Sequence, residues 1–288
     1  MNKYAGQPEH VPISCALRAR ISALKLPVDL FFHLLLLQSR DGTMQLFKSL
    51  GLVALGASAP AVLAGPVHRR GTVGNDAIVG LPETVPDTTA GTLYLKYKPF
   101  LYRANGCVPY PAVDAEGNTN EGLSPTGDPA GDCTDSTGQI YARSEANNGA
   151  FAIMYAWYWP KDEPSELEGS LGIGHRHDWE SVVVWLSEES TSATVLGVAA
   201  SAHGDFNAED ASDVTFSGNG ALIEYSSNGI TDHSLGFTTT VGDQQPLVAW
   251  ESLDSTIQSA LADTDWGDAN VPFIDANFEN NLAEAVLS

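Results

Sequence analysis

Positive charge is scarce in this sequence of 288 residues. Lysine and arginine together number 14 against 36 aspartates and glutamates, which leaves a formal net charge of −22. Six of the 14 basic residues but only three of the 36 acids precede Gly65, so the rest of the chain is more acidic still. A surface of this sign repels nucleic acids and anionic lipid headgroups at long range. The composition therefore argues against a nucleic-acid partner, and a membrane contact would have to be specific, for example bridged by a cation.

The sequence also lacks an apolar run that is long enough, and suitably flanked, to span a bilayer. Residues 44–64 instead read MQLFKSLGLVALGASAPAVLA, a basic start followed by an apolar run and small side chains, which is typical of a signal peptide cleaved after Ala64. Residues 1–43 are interpreted as an N-terminal extension or an unused upstream start. In residues 65–76, the pair Arg69-Arg70 is either a second processing site or a solvated turn. A secreted, extracellular protein with its folded domain at 77–288 is predicted.

Cysteine is nearly as rare, with three residues in the chain. Cys15 precedes the predicted signal peptide, so Cys107 and Cys133 form an even pair, which in a secreted protein predicts a disulfide. The segment between them is dense in glycine, proline, asparagine and aspartate, and without the bridge it has little reason to keep one conformation.

Short runs rich in β-branched and aromatic residues recur between clusters of glycine, asparagine, aspartate and serine. This pattern is typical of a mainly β protein, an antiparallel β-sandwich. The predicted strands cover residues 92–97, 151–159, 181–186, 194–200, 214–216, 222–225 and 237–241. The segment 151–160, FAIMYAWYWP, is apolar on both faces and predicts a strand buried on both sides; a membrane-inserting segment is the alternative.

Helical periodicity is confined to a few segments, which are expected to cover the sheets as peripheral helices. Near the C-terminus, apolar residues repeat every fourth position, each time behind aspartate or asparagine residues that could cap a helix. The two repeats are Leu253, Ile257, Leu261 and Phe278, Leu282, Val286. A third helix is predicted over residues 138–147.

Residues 174–180, GHRHDWE, concentrate charge directly before an apolar strand. The two-residue period of that strand places Asp178 and Glu180 on one face, and the glycines around residue 173 allow His175 to turn toward them. Two carboxylates and one imidazole favour Mg, Ca or Mn over zinc. Arg176 and His177 would then face away or support the site.

Two other interpretations of these charges stay open at this point. In the first, they form a surface cluster in which Arg176 pairs with a carboxylate. In the second, they belong to a metal-dependent hydrolase, with Asp178 or Glu180 as the general base. The spacing is not His-Glu-x-x-His, and a strand follows where that motif needs a helix, so a zinc hydrolase is disfavoured.

The heptapeptide resembles that of the necrosis-inducing, Nep-like protein family, which comprises secreted microbial proteins, several of them cytolysins toward plant cells. Further blocks resemble the family in the same order and extend the resemblance from about residue 77 to the C-terminus. They are NGCVPYPAVDAEGNT from 105, GQIYAR from 138, AIMYAWYWPKD from 152, SAHG from 201, DHSLGFTTT from 232 and GDANVPFIDANF from 267.

The resemblance implies a non-enzymatic β-sandwich like that of actinoporins and some fungal lectins. It implies a divalent cation, Mg, Ca or Mn, held by Asp162, His175, Asp178 and Glu180. His203 and Asp232 would line or support the site, although a buried structural role is the alternative for each. The implied partner is the glycosylated inositol phosphoceramide headgroup of plant plasma membranes, which the protein would reach by peripheral contact and then damage the membrane. A monomer is expected.

The sequence departs from the family pattern at two places. Residues 163–173 form a longer link than is usual between the Lys-Asp pair and the heptapeptide, so Asp162 keeps its place, or Glu166 or Glu168 replaces it, or the loop covers the mouth of the site. Gly229 stands where cytolytic relatives often carry an exposed tryptophan, which is an effective anchor at lipid headgroups. A non-lytic, lectin-like effector is therefore the second functional hypothesis.

Overall fold

The computed structural model describes residues 71–287. The predicted extension 1–43, the signal peptide 44–64 and the dibasic pair Arg69-Arg70 lie outside the described residues. Twelve strands are described in this part of the chain. They are β1 Thr72–Val73, β2 Phe100–Arg103, β3 Thr119–Asn120, β4 Ile140–Asn147, β5 Ala150–Asp162, β6 His175–Leu186, β7 Val195–Ala202, β8 Asp205–Asp210, β9 Phe216–Ser217, β10 Gly220–Ser226, β11 Ser234–Phe237 and β12 Leu247–Ala249.

Two sheets form the sandwich, in which the large sheet has the strand order β12-β4-β5-β6-β7-β8. The small sheet has the order β11-β10-β2, with β9 paired to β10, and β11 packs against β6 and β7. The strand pairs are antiparallel except at β12–β4 and β10–β2 in these sheets and in the separate β1–β3 pair. The predicted mainly β sandwich is confirmed, with parallel pairs at its margins.

Four α-helices surround the sheets: α1 Thr89–Lys96, α2 Glu166–Ser170, α3 Ser255–Asp263 and α4 Phe278–Glu284. A 3-10 turn at Trp250–Ser252 precedes α3. Both helices predicted near the C-terminus are present, and Asp254 caps α3 by accepting bonds from two backbone N–H groups. Within 71–287, no helix combines the length and apolar character needed to cross a bilayer.

The segment predicted as a central strand lies in β5, whose residues from Phe151 to Asp162 are all buried. The core interpretation of FAIMYAWYWP is therefore confirmed. The predicted strands at 181–186, 194–200 and 222–225 lie within or nearly within β6, β7 and β10, respectively. Of the other two, 214–216 reaches β9 only at Phe216, and 237–241 meets β11 only at Phe237.

Two predicted elements are wrong. Residues 92–97 belong mostly to α1 instead of a strand, because the Thr88 hydroxyl accepts a bond from Gly91 N–H and a helical face buries Leu93 and Tyr94. Residues 138–147 contain β4 instead of a helix. The following Asn148 and Gly149 have φ of +50° and +87°, which is the conformation of a two-residue hairpin turn, and β4 accordingly pairs with β5.

Candidate functional site

The pairing of β5 with β6 creates the site. In this antiparallel register, Trp159 lies opposite Asp178, and Asp162, the last residue of β5, lies opposite His175, the first residue of β6. The heptapeptide is thus part of the strand itself, and its first ligand candidate meets the Lys-Asp pair directly across the sheet.

A cavity of about 650 Å³ opens beside this strand pair. All four predicted ligands line it, together with two of the predicted supporting residues, His203 and Asp232. Asp268, Asn270 and Asn281 also line the cavity. Glu166 and Glu168 are not among the lining residues, whereas Asp162 is, so the longer loop leaves Asp162 at the cavity.

Three of the lining side chains converge closely. Single ligand atoms of Asp162, His175 and Asp232 lie within 4.8 Å of one another. The Nε2 atom of His175 is 3.9 Å from Asp162 Oδ2 and 4.0 Å from Asp232 Oδ2. Asp178 and Glu180 line the same cavity outside this tight group. Asp232 was predicted as a supporting residue, and its position makes it a candidate ligand as well.

His175 presents Nε2 to the acids because its other ring nitrogen is engaged. Its Nδ1 donates a hydrogen bond of 2.7 Å to the carbonyl oxygen of His177. Burial lowers the pKa of His175, but the charge of Asp178 and the bond to His177 raise it, as do the charges of Asp162 and Asp232, and the net shift is upward. An imidazole oriented in this way by its second nitrogen is typical of metal ligands.

Asp162 is buried and held by His233, which the sequence did not indicate as a site residue. The backbone N–H of His233 donates to Asp162 Oδ2 at 2.7 Å, and its ring Nδ1 donates to Asp162 Oδ1 at 2.5 Å. The His233 ring stacks on Tyr225, with a centroid distance of 4.7 Å, and Tyr225 stacks on Trp159 at 3.9 Å. This stack of rings fixes the orientation of the carboxylate.

Asp178 and Glu180 also have partners that the sequence did not single out. The hydroxyl of Tyr225 donates to Asp178 Oδ2 at 2.9 Å, and the hydroxyl of Ser201 donates to Glu180 Oε2. A buried tyrosine hydroxyl usually finds a polar partner, which was the available signal for Tyr225. Ser201 lies in the SAHG block, which was noted only for its resemblance.

Burial and the repulsion between neighbouring carboxylates raise the pKa values of Asp178 and Glu180. Burial first, and then the charge of Asp162, raise the pKa of Asp178 to about 7. Burial and the charge of Asp178 raise the pKa of Glu180 well above its usual value. Closely spaced buried carboxylates need a proton or a cation between them.

Two residues of the heptapeptide, Arg176 and His177, are not among those that line the cavity. Arg176 donates to the carbonyl oxygens of Glu121 and Gly122 and to the hydroxyl of Ser124, so it ties the disulfide-closed segment to β6. The alternative of a surface cluster is wrong, because Asp162, Asp178 and Glu180 are buried.

His177 adopts a left-handed backbone conformation, with φ of +62°. Its Nδ1 lies 2.7 Å from the hydroxyl of Tyr158, and its ring packs edge-on against Trp266. Burial and the neighbouring Arg176 lower the pKa of His177 to about 4, so the ring is neutral at physiological pH. His177 therefore supports the strand from behind the site.

The predicted disulfide is confirmed. Cys107 and Cys133 are bonded, and both are buried. The bridge closes the segment whose carbonyl groups accept bonds from Arg176.

The chemistry of the cavity fits a hard divalent cation. The converging ligand atoms are carboxylate oxygens and one imidazole nitrogen, a set that suits Mg, Ca or Mn. One oxygen of Asp232, Oδ1, is buried and has no hydrogen-bond partner among the described residues. A cation would satisfy it.

Fold and site together define a β-sandwich protein with an acidic cavity of the size of a small-ligand site. Residues 91–285 match the family described as "Necrosis inducing protein (NPP1)". NLP effector protein 1 of Phytophthora capsici is 46% identical over 217 residues, which cover 74% of this chain and 90% of that protein. The chain belongs to this necrosis-inducing protein family, as the sequence resemblance indicated.

Solved structures of related proteins support the same family assignment. The structure "NLPPya in complex with mannosamine" has a TM-score of 0.70 and 44% identity, and the match covers 76% of this chain and 100% of that one. The "non-toxic HaNLP3 protein" has a TM-score of 0.68 and 38% identity, with coverage of 73% and 98%. The family has a non-enzymatic toxin fold, so the hydrolase alternative is set aside.

Proposed function

We propose that this protein is a secreted toxin that binds a divalent cation in the acidic cavity and uses it to recognise a glycosylated inositol phosphoceramide headgroup of the plant plasma membrane. The observation that carries the proposal is the convergence of Asp162, His175 and Asp232 within 4.8 Å, beside Asp178 and Glu180. A bound cation has coordination positions that sugar hydroxyls can fill, and it supplies positive charge to a protein of net charge −22.

The size and walls of the cavity agree with a carbohydrate ligand. A volume of about 650 Å³ falls within the usual range for small-ligand sites. Asp268, Asn270 and Asn281, which also line the cavity, supply hydrogen-bonding groups for hydroxyl or amino substituents. That NLPPya has been solved with mannosamine supports an amino sugar as a suitable probe.

The test combines calorimetry with vesicle leakage. Titration of calcium, magnesium or manganese into the protein should give saturable heat with at least one of them, and Glu180→Gln should weaken this binding. Dye-loaded phosphatidylcholine vesicles that contain glycosylated inositol phosphoceramide should leak in the presence of the cation and stay intact with chelator. Glu189→Gln, an exposed acid in the turn after β6, is the matched control. Absence of saturable heat with all three ions would refute the proposal.

A second candidate function is a non-lytic effector that keeps the cation and sugar site. Gly229 favours it, because a side chain at this position would project into open space, with no atom within 4 Å of an added Cβ, and glycine places no aromatic ring there. The related HaNLP3 protein is described as non-toxic, which shows that members of this fold differ in toxicity. Cation-dependent vesicle binding without leakage would select this function.

A further inference from the structure

We propose that four exposed aliphatic side chains, on two loops that adjoin the cavity, form an apolar rim that inserts into the bilayer interface when the headgroup is bound. The aliphatic rim consists of Leu167, Leu171, Ile173 and Ile230, which are 72%, 71%, 44% and 73% exposed, respectively. The inference rests on the proposed function, since it assigns the lipid-facing surface beside the same cavity.

The rim belongs to two loops that both begin or end at the site. Residues 163–173 connect Asp162 to His175, and residues 227–232 lead into His233. Asp162 accepts a hydrogen bond from the backbone of His233, and His175 Nε2 lies 4.0 Å from Asp232 Oδ2. The ends of the two loops therefore lie next to each other at the cavity. Their exposed side chains therefore flank the position of any headgroup in the cavity.

Packing within the longer loop directs its two leucine side chains toward solvent. Glu163 is buried and paired with Lys161 at 3.1 Å, and it lies so close beneath Gly169 that a Cβ there would meet Glu163 Oε1 at 1.9 Å. The inner face of α2 is thus occupied by the Glu163 side chain. Leu167 and Leu171, one helical turn apart, are left on the outer face.

The composition of both loops indicates an apolar contact. Residues 163–173 and 227–232 contain no lysine or arginine, whereas 163–173 include Glu163, Glu166 and Glu168. Coulomb attraction to anionic lipid cannot hold these loops at a membrane, but burial of their aliphatic side chains can. A lipid is the occupant that joins a polar headgroup in the cavity to an apolar phase at its rim.

The experiment compares vesicle binding with cation binding in the same variants. Leu167→Ser, Leu171→Ser and Ile230→Ser are combined, and Val79→Ser with Val241→Ser serves as the control at exposed positions elsewhere on the surface. Co-sedimentation with phosphatidylcholine vesicles that contain glycosylated inositol phosphoceramide should show a loss of affinity of roughly tenfold for each rim side chain removed. Calcium titration should be unchanged in the rim variant, and both readouts should be unchanged in the control.

The outcomes separate this inference from the proposed function. Unchanged vesicle affinity in the rim variant would overturn the inference and leave the function intact. Equally tight binding to vesicles without the glycolipid, insensitive to chelator but lost in the rim variant, would refute the function, and it would also overturn the inference as stated, because the rim would then insert without a bound headgroup. A wild-type chain that binds no vesicles would overturn both. Rim substitutions that change self-association without lipid would identify a second copy as the occupant and overturn the inference, as would a loss of calcium binding.

Discussion

At the scale of single residues, Asp178 shows how its surroundings change the acidity of a carboxyl group. It is buried, it accepts a hydrogen bond from Tyr225, and burial together with the charge of Asp162 raises its pKa to about 7. Without a cation, this carboxyl group is therefore substantially protonated at neutral pH. Binding of the proposed cation would displace that proton and would couple the stability of the protein to both pH and cation concentration.

The cation-free protein should lose stability as the pH rises from 6.5 to 8. The pKa of Asp178 is about 7 in the folded protein against its usual 3.8, so its stabilising effect is complete below pH 3.8 and is lost as the pH rises through about 7. The raised pKa of His175 acts in the same direction. The expected loss in the free energy of unfolding is roughly 1 kcal/mol, measured by urea denaturation with chelator.

Two conditions control this experiment. His177 has a pKa lowered to about 4 from its usual 6.5, so its contribution is lost as the pH falls and would oppose the trend below pH 6.5. Saturating calcium should abolish or reverse the trend, because the ion binds the ionised acids. An identical pH dependence with chelator and with calcium would contradict the assignment of Asp178 to a cation site.

The sequence predicted some of these residues better than others for a physical reason. Asp178 and Glu180 share a face because strand side chains alternate, and this period can be read along the chain. Tyr225 lies in β10 of the other sheet and His233 directly precedes β11, so their role depends on the packing of the two sheets. No local pattern reports such packing.

At the scale of elements, predictions also failed where tertiary packing, which a local sequence pattern does not report, decides the structure. The strand β5 was predictable because its sequence is apolar on both faces, which favours a strand buried on both sides. The helix α1 was mistaken for a strand because threonine and tyrosine favour strands, while burial of Leu93 and Tyr94 favours the helix. The sheet strand β4 could have been recognised from Asn148-Gly149, which is a strong hairpin signal.

A matched pair of glycines tests how the disulfide-closed segment supports β6. Gly122 has φ of +69°, and a Cβ there would lie 2.6 Å from His177 Cε1. Gly127 has φ of +91° with no atom within 4 Å of such a Cβ. Gly127→Ala should destabilise the protein by about 1–2 kcal/mol through backbone strain alone. Gly122→Ala should add about 1–3 kcal/mol through overpacking.

Urea denaturation gives the two free energies, and calcium titration gives a second readout. Displacement of His177 in Gly122→Ala would move the carbonyl group that orients His175, so calcium affinity should fall in this variant and not in Gly127→Ala. Equal destabilisation of the two variants would show that the segment does not bear on the heptapeptide.

At the scale of the whole molecule, the net charge of −22 and the acidic cavity act on membrane binding in opposite directions. The overall field repels an anionic surface over a distance set by ionic strength. The electrostatic attraction between a bound cation and a lipid headgroup, in contrast, acts only at short range, once the headgroup is in contact with the site. The protein should therefore approach a membrane against its own field and bind through the site and the aliphatic rim.

Adding phosphatidylserine to vesicles that contain glycosylated inositol phosphoceramide should therefore weaken binding by this protein, whereas basic membrane-binding proteins bind such vesicles more tightly. Raising the sodium chloride concentration at constant calcium should restore the affinity, because salt screens the long-range repulsion more than the buried contact. Co-sedimentation over a series of salt concentrations measures both effects. Binding that strengthens with phosphatidylserine and weakens with salt would mean that an exposed basic surface governs the contact, and neither the acidic cavity nor the aliphatic rim could then be the part of the protein that meets the membrane.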